Sequence, residues 1–202
     1  PVPWHRSLSD DKFGIVQIDN SVQSSICIAI DSIPRSHPDY IKLRIATTAL
    51  GGYFGSRLMS NIREDKGYTY GIFASLLGRS CESHILISCD CDHQYALPFI
   101  NEVKKEIARM SNVPLSEDEL WCTRQEIISD ILKTVDSTFS IDAYVKSTLL
   151  YGFDGNYFSK QLYEAKNITA DEIMKISKKY LNVHDLRIFV ATNNKIAKLA
   201  LK

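Results

Sequence analysis

Residues 51–72 have the sequence GGYFGSRLMSNIREDKGYTYGI, and this stretch decides how the chain is interpreted. The three glycines at 51, 52 and 55 permit backbone conformations or close approaches that a side chain would block. We predict that one helix stops at Gly51-Gly52 and that a second, short helix runs from about Ser56 to Asp65. A strand should follow the second helix and include the last residues of the stretch.

The most informative side chains in this stretch are an arginine and a tyrosine. Gly67 is expected just after the end of the second helix, and Tyr68 and Tyr70 on one face of the following strand. Arg63, in the last helical turn, would then lie beside Tyr70. A guanidinium offers a fixed fork of donors and a phenol one donor, so this pair suits a polarised carbonyl oxygen. The alternative is that Arg63 pairs with a surface acid and Tyr70 only packs.

The same stretch lacks the marks of several common sites. No Gly-Lys-Ser/Thr follows the glycines, and they follow a helix, so neither a phosphate loop nor a dinucleotide fingerprint is indicated. Ser56 and Ser60 lack the Gly-x-Ser-x-Gly elbow of hydrolases. The adjacent acids Glu64 and Asp65 are expected to be solvated.

Hydrophobic periodicity along the rest of the chain predicts an α+β fold, with a mostly antiparallel sheet covered by helices. Strands are expected at 13–19, 25–31, 68–77, 84–91 and 186–191, the second of them buried on both faces. Helix starts are expected at Ser36, before Pro38, and at two capping boxes. The boxes are Ser116 with Glu119 and Thr169 with Glu172. A stripe from Phe99 to Met110 predicts a further helix.

Composition limits the functional classes. The 202 residues predict one domain over 1–202, and the start without Met is typical of a piece of a longer protein. Because 24 basic residues balance 24 acidic ones, no nucleic-acid partner is expected. No stretch approaches the ~20 apolar residues of a membrane span. Five cysteines favour reduced thiols and a reducing compartment such as the cytoplasm, with a periplasmic location left open.

The stretch SRLMSNIREDKGYTYGI resembles the C-terminal, non-zinc domains of pitrilysin/insulinase-type zinc metallopeptidases, the family that includes mitochondrial-processing-peptidase-like proteins. A Ser-Arg-Leu start, an Arg-Glu pair, a Gly and a Tyr recur there in this order. The resemblance also covers QSSICIAIDSIPRSHPDYIKL and YLNVHDLRIFVAT, and so spans Ile15 to Thr192. It implies the fold of one half of a clamshell metallopeptidase.

The resemblance also implies a function. In the family, an Arg and the Tyr seven residues later reach across a closed chamber to the substrate at the zinc, and Arg63 and Tyr70 match them. Tyr68, five residues after the Arg, does not. The chain would be the substrate-binding half of a zinc-dependent endopeptidase, with auxiliary catalytic residues Arg63 and Tyr70. Its partners would be a peptide substrate and a zinc-bearing domain or subunit of the same family, without which it would be inactive.

The sequence offers no zinc site of its own. The family's zinc half carries His-x-x-Glu-His, a string that is absent here. The histidines are scattered, at His5, His37, His84, His93 and His184. Cys89, Cys91 and His93 are closely spaced but lack a second ligand cluster. The two cysteines are expected to fill one face of a buried strand, so zinc is expected only in the partner half.

Two other functions are alternatives to a peptidase half. A catalytically inactive family member could act as a scaffold or assembly subunit, although such a protein has no need of both Arg63 and Tyr70. A small-molecule enzyme of unrelated type is disfavoured because the sequence has no cofactor motif. A His-x-x-Glu-His string encoded elsewhere in the same gene or in a neighbouring gene would favour a peptidase half over both alternatives.

Overall fold

A computed structural model describes residues 11–80 and 82–193, and in them five strands form one sheet. The strands are β1 (Phe13–Gln17), β2 (Ser24–Ser32), β3 (Thr69–Gly78), β4 (Ser83–Cys91) and β5 (Arg187–Thr192). Their order across the sheet is β1-β5-β2-β4-β3. β5 runs parallel to β1, and the other neighbouring strands are antiparallel. The predicted mostly antiparallel sheet is confirmed.

Helices cover one face of this sheet. They are α1 (Tyr40–Gly51), a π-helix (Met59–Asp65), α2 (Ala96–Asn112), α3 (Glu117–Lys133), α4 (Thr138–Leu150), α5 (Tyr157–Asn167) and α6 (Ala170–Tyr180). The core lies between helices and sheet, where Ile28, Leu43 and Phe99 are fully buried. Among residues 11–80 and 82–193, no helix is both long and apolar enough to cross a bilayer.

The capping signals fix two of the helix starts. The Ser116 hydroxyl accepts the Glu119 N–H, and the Glu119 carboxylate accepts the Ser116 N–H, so α3 begins with the predicted capping box. The same reciprocal pair opens α6 at Thr169. The start predicted at Ser36 was wrong, because residues 34–40 form two successive turns before α1 begins.

The sheet face away from the helices is open to solvent. In β2, Ile26, Ile28 and Ile30 are buried, whereas Ser25 is exposed and Cys27 half-buried. The prediction that this strand is buried on both faces was therefore wrong, because the helices pack against only one side of the sheet. We call the uncovered side the open face.

Candidate functional site

A π-helix presents Arg63 at the surface beside the edge of the sheet. Gly67 ends the helix with φ +64°, the left-handed conformation that glycine adopts at little cost. Its N–H donates to the Arg63 carbonyl at 3.1 Å, and the Tyr68 N–H donates to the Ile62 carbonyl at 3.1 Å. The predicted short helix and its closing glycine are confirmed. The wide π turn is a rare form that is frequent at functional sites.

The opposite side of the π-helix is fixed to α2. Ile62 is fully buried, and the Asn61 amide donates to Glu106 Oε1 at 2.7 Å and to Glu102 Oε2 at 3.3 Å. The Lys105 ammonium, 2.6 Å from Glu102, lowers the pKa of that carboxyl against the opposing effect of burial. An ionised Glu102 is a stronger acceptor for Asn61. These contacts hold the backbone that carries Arg63.

The Arg63 guanidinium lies between two exposed aromatic rings. Its Cζ is 4.5 Å from the ring centroid of Phe54 and 5.3 Å from that of Tyr70. The Phe54 side chain is 60% exposed and Tyr70 is 91% exposed. Nη1 of Arg63 also approaches Glu64 Oε1 at 3.5 Å. A guanidinium has five N–H donors, so this one contact leaves donors for a ligand. Tyr70 is far more accessible than Arg63, whose side chain is 24% exposed.

The structure therefore brings together the two side chains that the sequence singled out. Tyr70 is exposed and its ring contacts the Arg63 guanidinium, while Arg63 also meets a surface acid, Glu64, as the alternative interpretation expected. Tyr68 is placed differently from the prediction. It is half-buried and stacks on Tyr95, with ring centroids 4.8 Å apart.

The predicted shared face of Tyr68 and Tyr70 was wrong for a reason in the strand itself. β3 begins at Thr69, so Tyr68 precedes the first strand residue. The pairing of β3 with β4 is also irregular between Thr69 and Ile72. A bulge of this kind re-aims side chains and breaks the simple alternation of faces.

The other arginine of the stretch, Arg57, has a structural position. Its side chain is buried, and Nε and Nη2 donate to the two carboxylate oxygens of Glu119 at 2.8 and 3.1 Å. Nη1 and Nη2 also donate to the carbonyls of Val113 and Pro114. These four bonds tie Arg57 to the start of α3 and to the connection before it, and the side chain is too buried to meet a substrate.

The glycines before Arg57 serve close packing and carry an aromatic residue that sequence reasoning missed. A Cβ on Gly51 would lie 2.7 Å from the Cβ of Ala74, so only glycine lets α1 approach β3 here. Phe54 follows in the same loop and contacts Arg63. Two aromatic residues between glycines, Tyr53 and Phe54, were the available signal.

The candidate metal ligands are engaged in packing. Cys89 and Cys91 are buried on the core side of β4, which confirms the prediction that they fill one strand face. The hydrogen bond with Cys89, together with burial, raises the pKa of the Cys91 thiol. His93 bonds Ser24 Oγ through Nδ1 and the Ser21 carbonyl through Nε2, both at 2.8 Å.

No three His, Cys, Asp or Glu side chains in the described part of the chain group to hold a metal ion. The scattered histidines at 37, 84, 93 and 184 form no common site there. His5 and Cys81 lie outside the described residues.

A cleft of about 690 Å³ lies on the open face next to Tyr70. We call it the open-face cleft. Its walls include Phe73 and Phe189, and Asp90 lies at its border. Sequence reasoning missed it, because which strands lie side by side cannot be read from alternation within each strand. This volume is in the range of ligand sites.

Comparisons with known proteins agree on the fold and family. Residues 2–125 match the sequence model of a family described as "Peptidase M16 inactive domain". A structure of the peptidase M16 inactive domain from Pseudomonas fluorescens has 23% identity and a TM-score of 0.83, and the match covers 90% of this chain and 43% of that one. A Helicobacter pylori protease has 14% identity and a TM-score of 0.82, over 95% of this chain and 47% of that one.

A third structure has nearly the same extent as this chain. It is the inactive peptidase domain of a putative zinc protease from Bordetella parapertussis, with 16% identity and a TM-score of 0.71, over 87% of this chain and 96% of that one. The chain spans less than half the length of the two previous structures. None of the curated proteins matches the sequence significantly.

Proposed function

Because this chain belongs to the peptidase M16 inactive-domain family, we propose that it is the substrate-binding half of a zinc-dependent endopeptidase. The zinc would lie on another domain or subunit of the same family. The observation that carries the proposal is the Arg63–Tyr70 pair: Tyr70 is exposed, and the half-buried Arg63 keeps donors beyond its contact with Glu64. Such a pair is suited to a ligand with a polarised oxygen.

The chemistry of peptide hydrolysis gives the pair a role. When water adds to the scissile carbonyl carbon, the carbonyl oxygen gains negative charge. The N–H donors of Arg63 and the O–H of Tyr70 would both donate to that oxygen. Donors placed where charge develops typically lower the barrier by about 2.7–4 kcal/mol each. Activation of the water would belong to the zinc half, since no three His, Cys, Asp or Glu side chains within residues 11–80 and 82–193 group to hold a metal ion.

The edge of the sheet supports a peptide as the ligand. β3 is an edge strand and begins at Thr69, next to Tyr70. An edge strand has unpaired N–H and C=O groups, to which an extended peptide can add as a further strand. A peptide bound in this way would run past Arg63 and Tyr70. Its recognition through the backbone would tolerate many sequences.

The test is reconstitution with a zinc-bearing half, meaning a domain or subunit that carries His-x-x-Glu-His in the same gene or a neighbouring one. The chain alone should show no cleavage of a quenched fluorescent peptide above background. The mixture should cleave it, and a chelator should abolish the activity. Robust chelator-sensitive cleavage by the purified chain alone would overturn the proposal.

A scaffold role predicts a different result in the same assay. An assembly subunit would bind the zinc-bearing half, and cleavage by the mixture would be unchanged when Arg63 is replaced by alanine. The substrate-binding half should instead lose cleavage with Arg63→Ala while still associating. Size-exclusion chromatography of both mixtures measures association separately from activity.

A further inference from the structure

Strand register places four side chains of the open face in one row across the sheet. Phe73 of β3 pairs with Ser88 of β4, Ser88 with Cys27 of β2, and Cys27 with Phe189 of β5. Neighbouring strands are about 4.8 Å apart, so the backbones that carry the two phenylalanines are roughly 14 Å apart. The row therefore has an aromatic side chain at each end and two small side chains between them.

The two small side chains, Ser88 and Cys27, form the floor of the cleft, and the ring of Phe189 leans away from them. A Cβ on Gly14, its partner in β1, would lie 2.8 Å from Cδ1 of the ring. The ring therefore occupies the space above β1 that a side chain at position 14 would fill. The space above Cys27 and Ser88 stays free as a result. Both residues line the open-face cleft.

The next row along the strands continues the floor and adds a charge. Asp90 pairs with Ser25, Ser25 with Ala191, and Ala191 with Val16. The Ser25 hydroxyl donates to Asp90 Oδ1. Among the described residues that line the cleft, Asp90 carries the only formal charge. The cleft thus joins apolar walls to one exposed carboxylate.

Tyr70 links the cleft to the site described above. It lines the cleft, and its ring lies 5.3 Å from the Arg63 guanidinium. A peptide whose carbonyl reaches Arg63 and Tyr70 would therefore have neighbouring side chains within reach of the cleft. Phe73, which is 57% exposed, forms the wall next to Tyr70 on the same strand.

We propose that the open-face cleft is a side-chain subsite for peptides in which a basic residue stands two positions from a bulky apolar one, because every second side chain of an extended peptide points to the same face. The proposal rests on the proposed function, because it takes the ligand to be an extended peptide. The apolar side chain lies between Phe73 and Phe189, over the floor of small residues. The basic side chain pairs with Asp90. A carboxylate favours a cation at this position and disfavours an acidic side chain.

Cys27 allows a test that needs no peptidase activity. Its thiol lines the cleft, whereas Cys122 lies on α3, and both residues are partly exposed. Iodoacetamide labelling of the full chain would be followed site by site by mass spectrometry, with and without the capped peptide acetyl-Ala-Phe-Ala-Arg-Ala-Ala-amide. The peptide should slow alkylation of Cys27 and leave Cys122 unchanged. Matched peptides with Ala for Phe, or Glu for Arg, should need roughly tenfold higher concentrations for equal protection.

Variants separate the two parts of the subsite. Phe189→Ala should remove the preference for the Phe peptide, and Asp90→Asn should remove the preference for Arg over Glu while keeping that for Phe. Phe139→Ala is the matched control, since this phenylalanine is 89% exposed on α4. Circular dichroism should show each variant folded. Equal protection by all three peptides, or none by any, would overturn the subsite.

The outcome is independent of the catalytic role of Arg63. If protection is seen but Arg63→Ala leaves cleavage unchanged in the reconstituted enzyme, the proposed function fails and the subsite stands. If Arg63→Ala abolishes cleavage but no peptide protects Cys27, the subsite fails and the proposed function stands.

Discussion

Replacing Arg57 with alanine should destabilise the fold by about 3 kcal/mol. The change removes two hydrogen bonds to Glu119 and those to the Val113 and Pro114 carbonyls. Removing one partner of a buried ion pair costs about 3–5 kcal/mol. The Glu119 side chain is 25% exposed, so water recovers part of the loss and the lower end applies. The Arg57 side chain itself is only 2% exposed.

Urea unfolding followed by far-ultraviolet circular dichroism at pH 7 measures this loss. With a slope near ~2 kcal/mol per molar urea, the midpoint should fall by about 1.5 M. Arg109→Ala is the matched control, because that side chain is 48% exposed and meets Glu106 at 3.4 Å; it should cost under about 0.5 kcal/mol. Arg63→Ala should cost only about 1 kcal/mol, from two cation–π contacts. Equal losses for Arg57→Ala and Arg109→Ala would refute the structural role of Arg57.

Three further predictions concern the turn, the pH dependence and the metal. Gly67→Ala should cost about 1 kcal/mol in urea unfolding because φ is +64° there, although nothing lies within 4 Å; Gly155→Ala, in equally open space without a positive φ, should not destabilise. The hydrogen bond from Lys42 and the backbone bond from Thr169 lower the pKa of Glu172 to about 2. The stability from this depressed pKa is present above the ordinary value of about 4.5 and is lost as pH falls towards 2. The difference in free energy of unfolding between the unchanged chain and Glu172→Gln should therefore shrink from about pH 4.5 to about pH 2. Elemental analysis of the metal-stripped chain titrated with zinc should find less than one tightly bound equivalent, and one full equivalent would contradict the account.

The local elements were predictable because their signals are local. Capping boxes at Ser116 and Thr169 satisfy helix N–H groups within four residues, so sequence spacing alone reveals them. Gly67 was recognisable because few other residues tolerate its backbone conformation. Arg63 and Tyr70 lie seven residues apart across that turn, and their proximity followed from the same local geometry.

The features that were missed depend on distant parts of the chain. β5 enters the sheet between β1 and β2 and runs parallel to β1, a pairing that no local pattern encodes. The open-face cleft needs this order, since its walls come from β3 and β5. The Tyr68 error arose from an irregular register that only the pairing with β4 shows. In α4, exposed Phe139, Ile141 and Leu149 leave no clean apolar stripe, so its boundaries were not predicted.

The central claim is that the Arg63–Tyr70 pair stabilises the charged oxygen of the reacting peptide. The most direct measurement is the steady-state kinetics of Tyr70→Phe in the reconstituted peptidase. Its kcat should fall ~10²-fold while KM stays within about twofold, because the hydroxyl bonds the oxygen mainly once it is charged. Tyr68→Phe should cost little, since a phenyl ring keeps the stack on Tyr95. A folded Tyr70→Phe enzyme with full kcat, beside a Tyr68→Phe enzyme that has lost it, would contradict the account.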